Sequence, residues 1–167
     1  MRVHAVTSES EFDDALAVRF AVFVHEQQVD PESERDVLDD DPRTLHCVAY
    51  SDEGAPLAVG RLLAPHTDIM HGSGTPHGKM DPAAPHIGRV AVSKAARGTG
   101  AGRAVMEFLE ESALERHGAN GTVRVELSAQ DQALPFYERL GYTAYGDGYL
   151  DEDIVHHDAF KVLHRES

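Results

Sequence analysis

A glycine-rich turn that opens a helix is the segment of this sequence best suited to hold an anion. Residues 97–102 read Arg-Gly-Thr-Gly-Ala-Gly and lie between a strand-like run and the most regular helical pattern of the chain. The start of a helix has free backbone N–H groups and the positive end of the helix dipole. Glycines remove the Cβ atoms that would keep phosphate oxygens away from those groups. The turn therefore predicts a diphosphate site, to which Arg97 and Arg103 add charged hydrogen-bond donors.

The distribution of acidic residues separates this interpretation from a simpler one, in which the turn only lets a strand and a helix pack closely. The chain has 29 Asp and Glu in 167 residues, yet none lies between Pro82 and Met106. A stretch without acids in an acidic chain favours an anion at the turn. Two other phosphate motifs are excluded: a dinucleotide fingerprint needs glycine where Arg103 stands, and a P-loop needs Gly-Lys-Ser/Thr.

Composition limits the partners of the chain. The formal net charge is −14, and a field of that sign argues against nucleic acid or anionic membrane as a main partner. No apolar run approaches the roughly 20 residues that a membrane span needs. The N-terminus lacks the apolar core of a secretory signal, and the one cysteine cannot form an internal disulfide. We therefore expect a cytoplasmic chain with one domain, 1–167, as a monomer or homodimer.

Hydrophobic periodicity predicts seven strands and three helices. The predicted strands are 2–7, 44–50, 57–63, 86–92, 123–128, 142–145 and 155–163, and the predicted helices are 11–27, 98–116 and 131–140. Segments 30–43 and 66–85 are predicted loops, the first with room for one helical turn. The order β-α-β-β-β-α-β-α-β-β combines antiparallel hairpins with one strand–helix–strand crossover. This order indicates an α/β domain with a mixed (α+β) sheet.

Two motifs in this order resemble the GNAT superfamily of acyl-CoA N-acyltransferases. The first is Arg-x-x-Gly-x-Gly, which follows the strand residues Val90-Ala91-Val92, and the second is Phe-Tyr-Glu-Arg-Leu-Gly-Tyr at 136–142. Further segments resemble the ElaA-like branch: Val-Phe-Val-His-Glu-Gln at 22–27, Leu38-Asp39, Ala129-Gln130, and Asp153 with His157. Segment 66–85 is unmatched. The resemblance implies the GNAT-like fold, in which helices flank a splayed central sheet.

The resemblance implies that acetyl-CoA is the acyl donor. In the family, the strand before the glycine turn offers its backbone to the pantetheine arm, so Val90, Ala91 and Val92 take that role here. The N–H of Val92 could then also polarise the thioester carbonyl. The amide of Gln130 stands where many relatives have an Asn that binds the pantetheine. The diphosphate is expected on Arg97, Gly98, Thr99, Gly100, Ala101, Gly102 and Arg103.

The implied reaction is direct attack of an amine on the thioester carbonyl in a ternary complex, without a covalent enzyme intermediate. Tyr137 matches the family's general acid, which protonates the departing thiolate. Proton transfer from a phenol of pKa ~10 to the thiolate of a thiol with pKa ~8.5 is unfavourable by roughly 2 kcal/mol. That cost is tolerable for a positioned donor. Without the resemblance, the residue pattern favours a core tyrosine that packs a short helix on the sheet.

The sequence leaves the proton acceptor for the amine open. The family often uses a carboxylate on the strand before the turn, but residues 86–89 contain no acid. Glu26 is the first candidate, followed by Glu126 and then His157, which is also expected on the substrate side. Two alternatives stay open: a merely solvated Glu26 at a helix end, and loss of the proton to solvent without an enzyme base.

We expect an N-acetyltransferase that moves an acetyl group from acetyl-CoA to a primary amine of a small molecule. Segments 30–43 and 66–85 and the final hairpin are expected to line its acceptor pocket. The alternatives are a non-catalytic acyl-CoA-binding regulatory module and an acetyltransferase of protein lysines or N-termini. The irregular spacing of His66, His71 and His77 predicts no metal site.

Overall fold

Seven strands and four α-helices are present in the residues that the computed structural model describes, 1–67 and 81–165. The strands are β1 (Arg2–Ala5), β2 (Leu45–Tyr50), β3 (Pro56–Leu63), β4 (His86–Val92), β5 (Thr122–Gln130), β6 (Thr143–Asp151) and β7 (Ile154–His164). The α-helices are α1 (Glu9–Arg19), α2 (Pro31–Glu34), α3 (Ala101–His117) and α4 (Leu134–Arg139). None of these helices combines the length and apolar content of a membrane span. The predicted mixed α/β class and strand order are confirmed, with α2 as an additional helix.

The predicted first helix consists of two kinds of helix. α1 begins after Ser8, whose hydroxyl accepts a hydrogen bond from the backbone N–H of Glu11 at 3.1 Å, as an N-cap does. From Phe20 to Glu26 the chain continues as a π-helix, in which the N–H of Gln27 bonds to the carbonyl of Val22. The wider turn shifts the later side chains around the helix axis. π-Helical segments are rare in proteins, and those that occur often lie at functional sites.

Side-chain capping gives the predicted loop 30–43 more structure than its polar composition indicated. The carboxylate of Asp30 accepts a hydrogen bond from a backbone N–H in the first turn of α2. Asp36 and Asp39 form a reciprocal capping box around the 3₁₀ turn Val37–Asp40. Each short element is therefore held by an aspartate beside it.

Two predicted helix starts are displaced. α3 begins at Ala101 rather than at Gly98, because Gly98 and Gly100 have left-handed φ angles of 81° and 88°. The predicted helix at 131–140 starts as a 3₁₀ turn before α4. The Asp131 carboxylate caps neither element and lies 2.6 Å from Nδ1 of His157.

The chain divides into two compact units, of which the first comprises Met1–Leu63 and Gly88–Ser112. Its strands lie in the order β1-β2-β3-β4, and the pairs β1–β2 and β2–β3 are antiparallel. α1 packs on β2 and β3. The core between them is formed by buried side chains of α1, the π-helical segment and the strands: Ala15, Val18, Val22, Val48, Tyr50, Val59 and Ala91.

The second unit comprises Ala64–Ile87 and Ala113–Ser167. Its strands lie in the order β5-β7-β6 with antiparallel pairing, and α4 packs on β5 and β6. The first two residues of β4 pair in parallel with β5, His86 with Glu126 and Ile87 with Leu127. That the chain is one domain stays a prediction.

Cys47, the one cysteine of the chain, is fully buried in β2. Burial raises the pKa of its thiol to about 12, against the opposing effect of a hydrogen bond with the backbone of Gly60. Since the thiolate is the reactive form of cysteine, this side chain is inert at neutral pH.

Gly60 in β3 leaves no room for a side chain. A Cβ atom there would lie 2.7 Å from Cδ1 of Leu109 and 2.9 Å from Cγ1 of Val105, and both of those side chains are fully buried. Gly60→Ala is therefore expected to lower the free energy of unfolding by about 1–3 kcal/mol through overpacking. Urea denaturation measures the change. Gly88→Ala in β4 is the control, because a Cβ at that position would meet no atom within 4 Å. Equal stability of the two variants would contradict the close packing.

Candidate active site

The turn between β4 and α3 presents bare backbone. After the 3₁₀ turn Lys94–Ala96 the chain passes through Gly98 and Gly100, both left-handed, before α3 begins. A Cβ atom on either glycine would meet nothing within 4 Å. The hydroxyl of Thr99 donates to a carbonyl of the 3₁₀ turn at 2.5 Å and closes the bend. Left-handed residues in such a turn direct successive N–H groups to one side, and α3 adds the positive end of its dipole. This geometry suits an anion.

Both arginines of the turn are paired with carboxylates. Nη2 of Arg97 donates to Oε2 of Glu26 at 2.6 Å, and Nε of Arg103 donates to Oε1 of Glu107 at 2.9 Å. All four side chains are partly exposed. Exposed ion pairs contribute roughly 0–1 kcal/mol, so an incoming phosphate can replace either carboxylate at little cost. The structure thus brings Glu26, at the end of the π-helical segment, to the turn.

β4 directs its side chains to opposite faces, so its backbone is the part that can face a ligand. Val90 packs toward α3, near the position that a Cβ of Gly60 would occupy, whereas Ala91 belongs to the core beneath α1. Arg89, directly before them, has φ 50°, which is unusual for a residue other than glycine. The backbone therefore changes direction just ahead of Val90–Val92.

Six charged side chains in the first unit form an ion cluster that the sequence analysis did not identify. Nε of Arg19 donates to Oε1 of Glu34 and its Nη1 donates to Oδ1 of Asp39, each at 2.8 Å. Nη1 of Arg61 bridges Asp36 at 2.7 Å and Asp39 at 2.9 Å. Three arginines face three acids, so the formal charges cancel, as a buried group of ions requires. The members are Arg19, Glu34, Asp36, Asp39, Arg61 and Arg89.

Burial and pairing with arginines act in opposite directions on the pKa values of the three acids in this ion cluster, and the net effect differs among them. Burial acts to raise the pKa of Asp39, but the hydrogen bond and charge of Arg19, together with Arg61, outweigh it and hold that pKa well below its usual range. Burial also opposes the lowering of the pKa of Asp36, which Arg61 brings about. For Glu34, burial prevails over the arginines and the pKa is raised. Asp39 is therefore the acid most firmly held in its charged form.

Tyr137 lies in α4 of the second unit, buried among aromatic rings. Its ring makes edge contacts with Phe136 and Tyr142, with centroid distances of 5.1 and 5.9 Å. Burial raises the pKa of its phenol, so the group keeps its proton through the neutral range. Among the described residues, the phenol oxygen has no hydrogen-bond partner. Gly141, with φ 98°, reverses the chain so that the N–H of Tyr142 bonds to the carbonyl of Tyr137.

Glu126 is fully buried, and its carboxylate oxygens already have donors. Oε1 accepts a hydrogen bond from Nε of Arg124 at 2.9 Å, and Oε2 accepts one from the hydroxyl of Tyr145 at 2.6 Å. An amine that approached this carboxylate would have to displace one of these donors, which counts against the role of base. A second hydrogen-bonded set spans β5, β6 and β7: Ser128, Tyr149 and Asp158.

Gln130 and His157 lie at adjacent positions of the β5–β7 pair, where Gln130 pairs with His156 and Ala129 pairs with His157. Both side chains contact the 3₁₀ turn Asp131–Ala133. Nδ1 of His157 lies 2.6 Å from Oδ1 of Asp131. Nε2 of Gln132 donates to Oε1 of Gln130 at 2.8 Å. The turn therefore orients the two side chains that were expected at the substrate and at the pantetheine.

The histidines do not form a metal centre in the described residues. His66 has a left-handed φ of 62°, whereas His71 and His77 lie outside the described residues. No group of three or more His, Cys, Asp or Glu side chains in ranges 1–67 and 81–165 is arranged to hold a metal ion. His86 lies in the strand segment where the family often has a carboxylate base. It is neutral at neutral pH, because burial lowers its pKa to about 4.

Comparisons of sequence and of structure point to one group of proteins. A family model described as an acetyltransferase (GNAT) domain matches residues 7–162. YjcF of Bacillus subtilis strain 168, named an uncharacterized N-acetyltransferase, is 34% identical over 157 residues, which cover 93% of this chain and 96% of YjcF. An acyl-CoA N-acyltransferase from Pseudomonas aeruginosa has a crystal structure with a TM-score of 0.76 and 31% identity, covering 96% of this chain and 99% of that one. Escherichia coli ElaA shares the fold, with a TM-score of 0.74, 24% identity and coverage of 99% and 100%.

Removal of the Asp39 charge is expected to destabilise the protein at neutral pH and much less in acid. Asp39→Asn leaves Arg19 and Arg61 buried without this partner, which costs about 3–5 kcal/mol. Because the folded-state pKa of Asp39 is lowered, its contribution is complete above its unfolded-state pKa and is lost as pH falls through the folded-state pKa. The gap between variant and unmodified protein should therefore narrow below about pH 4.

Urea denaturation between pH 7 and pH 2 measures this gap. Asp40→Asn is the matched control, since Asp40 is exposed and, within ranges 1–67 and 81–165, pairs only with the half-exposed Arg35, at 3.2 Å. We expect a change of less than about 1 kcal/mol. A gap for Asp39→Asn that stays constant down to pH 2 would contradict the assigned charge.

Proposed function

The chain belongs to the acetyltransferase (GNAT) family and is an acyl-CoA-dependent acyltransferase, and we propose that it transfers an acetyl group from acetyl-CoA to a primary amine of a small molecule. The observation that carries this proposal is the bare turn before α3. Gly98 and Gly100 are left-handed there, and no atom lies near the positions of their absent Cβ atoms. The 17-residue α3 behind the turn supplies a full helix dipole for a diphosphate.

The donor is held at three places in this proposal. The diphosphate lies on the backbone of residues 97–103 and takes over Arg97 and Arg103 from their carboxylate partners. The pantetheine arm pairs with the backbone of Val90–Val92, and the Gln130 amide adds a hydrogen bond to it. The N–H of Val92 polarises the thioester carbonyl. The left-handed turn supports the assignment of residues 97–103, and the change of backbone direction at Arg89 supports that of Val90–Val92. The Gln130 assignment rests on the resemblance to the family.

The proposed reaction replaces the C–S bond of the thioester with a C–N bond and releases one proton. An ammonium group first loses one proton, because only the neutral amine is a nucleophile. Its nitrogen attacks the thioester carbon and forms a tetrahedral oxyanion. When this intermediate collapses, the C–S bond breaks, the nitrogen releases a second proton, and the thiolate gains one. The products are the amide and coenzyme A, and one proton goes to the solvent.

Tyr137 is proposed as the acid that protonates the thiolate. The raised pKa of its phenol keeps the proton in place until the thiolate forms, which is what an acid in the last step needs. The same shift makes the transfer more uphill than the roughly 2 kcal/mol of an unperturbed phenol. The proton therefore moves only when the thiolate is aligned with the phenol, and positioning limits the step.

Glu26 is the preferred candidate for the base. Its carboxylate is partly exposed, and its one partner in the part of the chain that the structure describes is the exchangeable Arg97. The oxygens of Glu126, by contrast, are occupied by Arg124 and Tyr145. A diphosphate that binds Arg97 would leave Glu26 free to accept a proton. Loss of the proton to solvent is the alternative. His157, paired with Asp131, is proposed to contact the acceptor rather than to act as the base.

The acceptor is proposed to be a small cationic amine. A net charge of −14 attracts cations, although salt screens this attraction beyond about 8 Å at physiological ionic strength. The field therefore favours amines in general and selects no particular one.

Gly98→Ala is expected to weaken coenzyme A binding by at least about tenfold. A Cβ atom in the left-handed conformation costs roughly 1–2 kcal/mol and projects into the open side of the turn. Calorimetric titration with coenzyme A measures the affinity. Gly146→Ala is the matched control, because Gly146 has φ 74° and equally open space but lies in β6. Equal coenzyme A affinity of the two variants would refute the diphosphate site.

Turnover tests the function itself. Thiol release from acetyl-CoA is measured with putrescine, spermidine, lysine and phenethylamine, and we expect it with at least one of them. Tyr137→Phe should lower kcat by about 100-fold or more while coenzyme A affinity is retained. Tyr142→Phe is the control, since it removes the neighbouring phenol. Binding of coenzyme A without thiol release would indicate a regulatory module, and release only with peptides would indicate a protein acetyltransferase.

A further inference from the structure

Arg89 combines two features that rarely occur together in a strand. Its φ of 50° is left-handed, although it is not a glycine. Such a conformation is strained and persists only where the surroundings enforce it. Its side chain, meanwhile, is mostly buried and reaches out of β4. The contacts of that side chain explain how the conformation is held.

The guanidinium of Arg89 binds backbone as well as charge. Nε donates to the carbonyl of Glu34 at 3.2 Å, and Nη2 donates to the carbonyl of Ser33 at 3.4 Å. Nη2 also donates to Oδ2 of Asp36 at 3.2 Å. These acceptors lie at the end of α2 and at the cap of the 3₁₀ turn that follows. Arg89 thus ties β4 to segment 30–40 at three points.

Segment 30–40 depends on such ties, because it contains only two short helical elements. Each has four residues, too few to be stable alone in water. Arg19 holds it from the other side: its Nη2 donates to the same Glu34 carbonyl at 2.7 Å. The segment is therefore fixed by arginines from α1 and from β4.

We propose that Arg89 is a positioning residue that makes β4 and segment 30–40 one rigid piece. The inference rests on the proposed function, in which Val90–Val92 carry the pantetheine and segment 30–43 lines the acceptor pocket. Arg89 sets the direction of the β4 backbone just ahead of Val90 and holds the acceptor segment by the same side chain. It thereby fixes the acceptor relative to the thioester, and its loss should affect the use of the amine more than the binding of coenzyme A.

A comparison of Arg89→Gly with Arg89→Ala separates the side-chain contacts from the backbone conformation. Glycine adopts φ 50° freely, whereas alanine does not, and neither can bind segment 30–40. We expect both variants to lower kcat/KM for the best amine of the panel by about 10- to 100-fold, mainly through KM of the amine. The affinity for coenzyme A should change by less than about threefold. Arg116→Lys is the control: Arg116 is exposed in the last turn of α3 and lies outside the segments assigned to the donor and to the acceptor, so no change is expected.

Hydrogen–deuterium exchange gives a readout that needs no acceptor. In Arg89→Gly the backbone amides of 30–40 and of 90–92 should exchange faster together, and in Arg116→Lys neither range should change. Asp36→Asn, which keeps the size of the side chain, tests the same tie if the Arg89 variants do not fold. It should accelerate exchange in the same two ranges.

Each outcome decides a separate point. If Arg89→Gly retains the turnover and exchange of the unmodified protein, the left-handed backbone alone matters and the positioning role is wrong. Faster exchange in only one of the two ranges would also overturn the inference. If the unmodified protein acetylates no amine of the panel, the proposed function fails, while exchange still tests whether Arg89 couples the two segments.

Discussion

The buried ion cluster around Asp39 is the interaction on which the first unit depends. Removing an ion from water costs several kcal/mol, and only close partners offset that cost. Here α1, α2, the 3₁₀ turn, β3 and β4 all contribute members, so none of these elements can move without leaving a buried charge unpaired. The apolar core of α1 on the strands is non-directional, whereas the ion cluster fixes a particular arrangement. The acidic segment between α1 and β2, polar by composition, is structured for this reason.

The sequence predicted the parts of the fold that local rules govern. The bounds of β4 and the presence of α3 follow from apolar periodicity, and the start of α3 is displaced by the left-handed glycines before it. The ion cluster could not be predicted, because Arg19 is 15 residues from Glu34 and 20 residues from Asp39 in the sequence. Contacts over such separations produce no periodic pattern in a sequence. The π-helical stretch was also missed, since periodicity over so few residues does not distinguish it from an α-helix. Asp30 and Asp36 are residues of a type that caps helices, so the two short helical elements could have been predicted from them. The polar composition of the segment favoured a loop instead.

The candidate site was predicted unevenly, for a physical reason. A bare turn needs glycines at fixed spacing, and that requirement is visible in a sequence. A proton acceptor needs only a carboxylate in the right place, and 29 acids offer many choices. Our ranking of two candidates rests on their contacts in the described residues: both oxygens of Glu126 accept hydrogen bonds, whereas Glu26 pairs with the partly exposed Arg97. Such a ranking rests on contacts between distant residues, which the sequence alone does not give.

The enclosed thiol of Cys47 has a practical consequence for work with this protein. Colorimetric thiol reagents normally react with the cysteines of an enzyme as well, which adds a background signal to the assay. Here the folded chain contributes no reactive sulfur, because its one cysteine is fully buried and protonated. The colour that develops in the native state comes from small-molecule thiols in the solution. After denaturation the same reagent would titrate one equivalent per chain and so count the unfolded molecules.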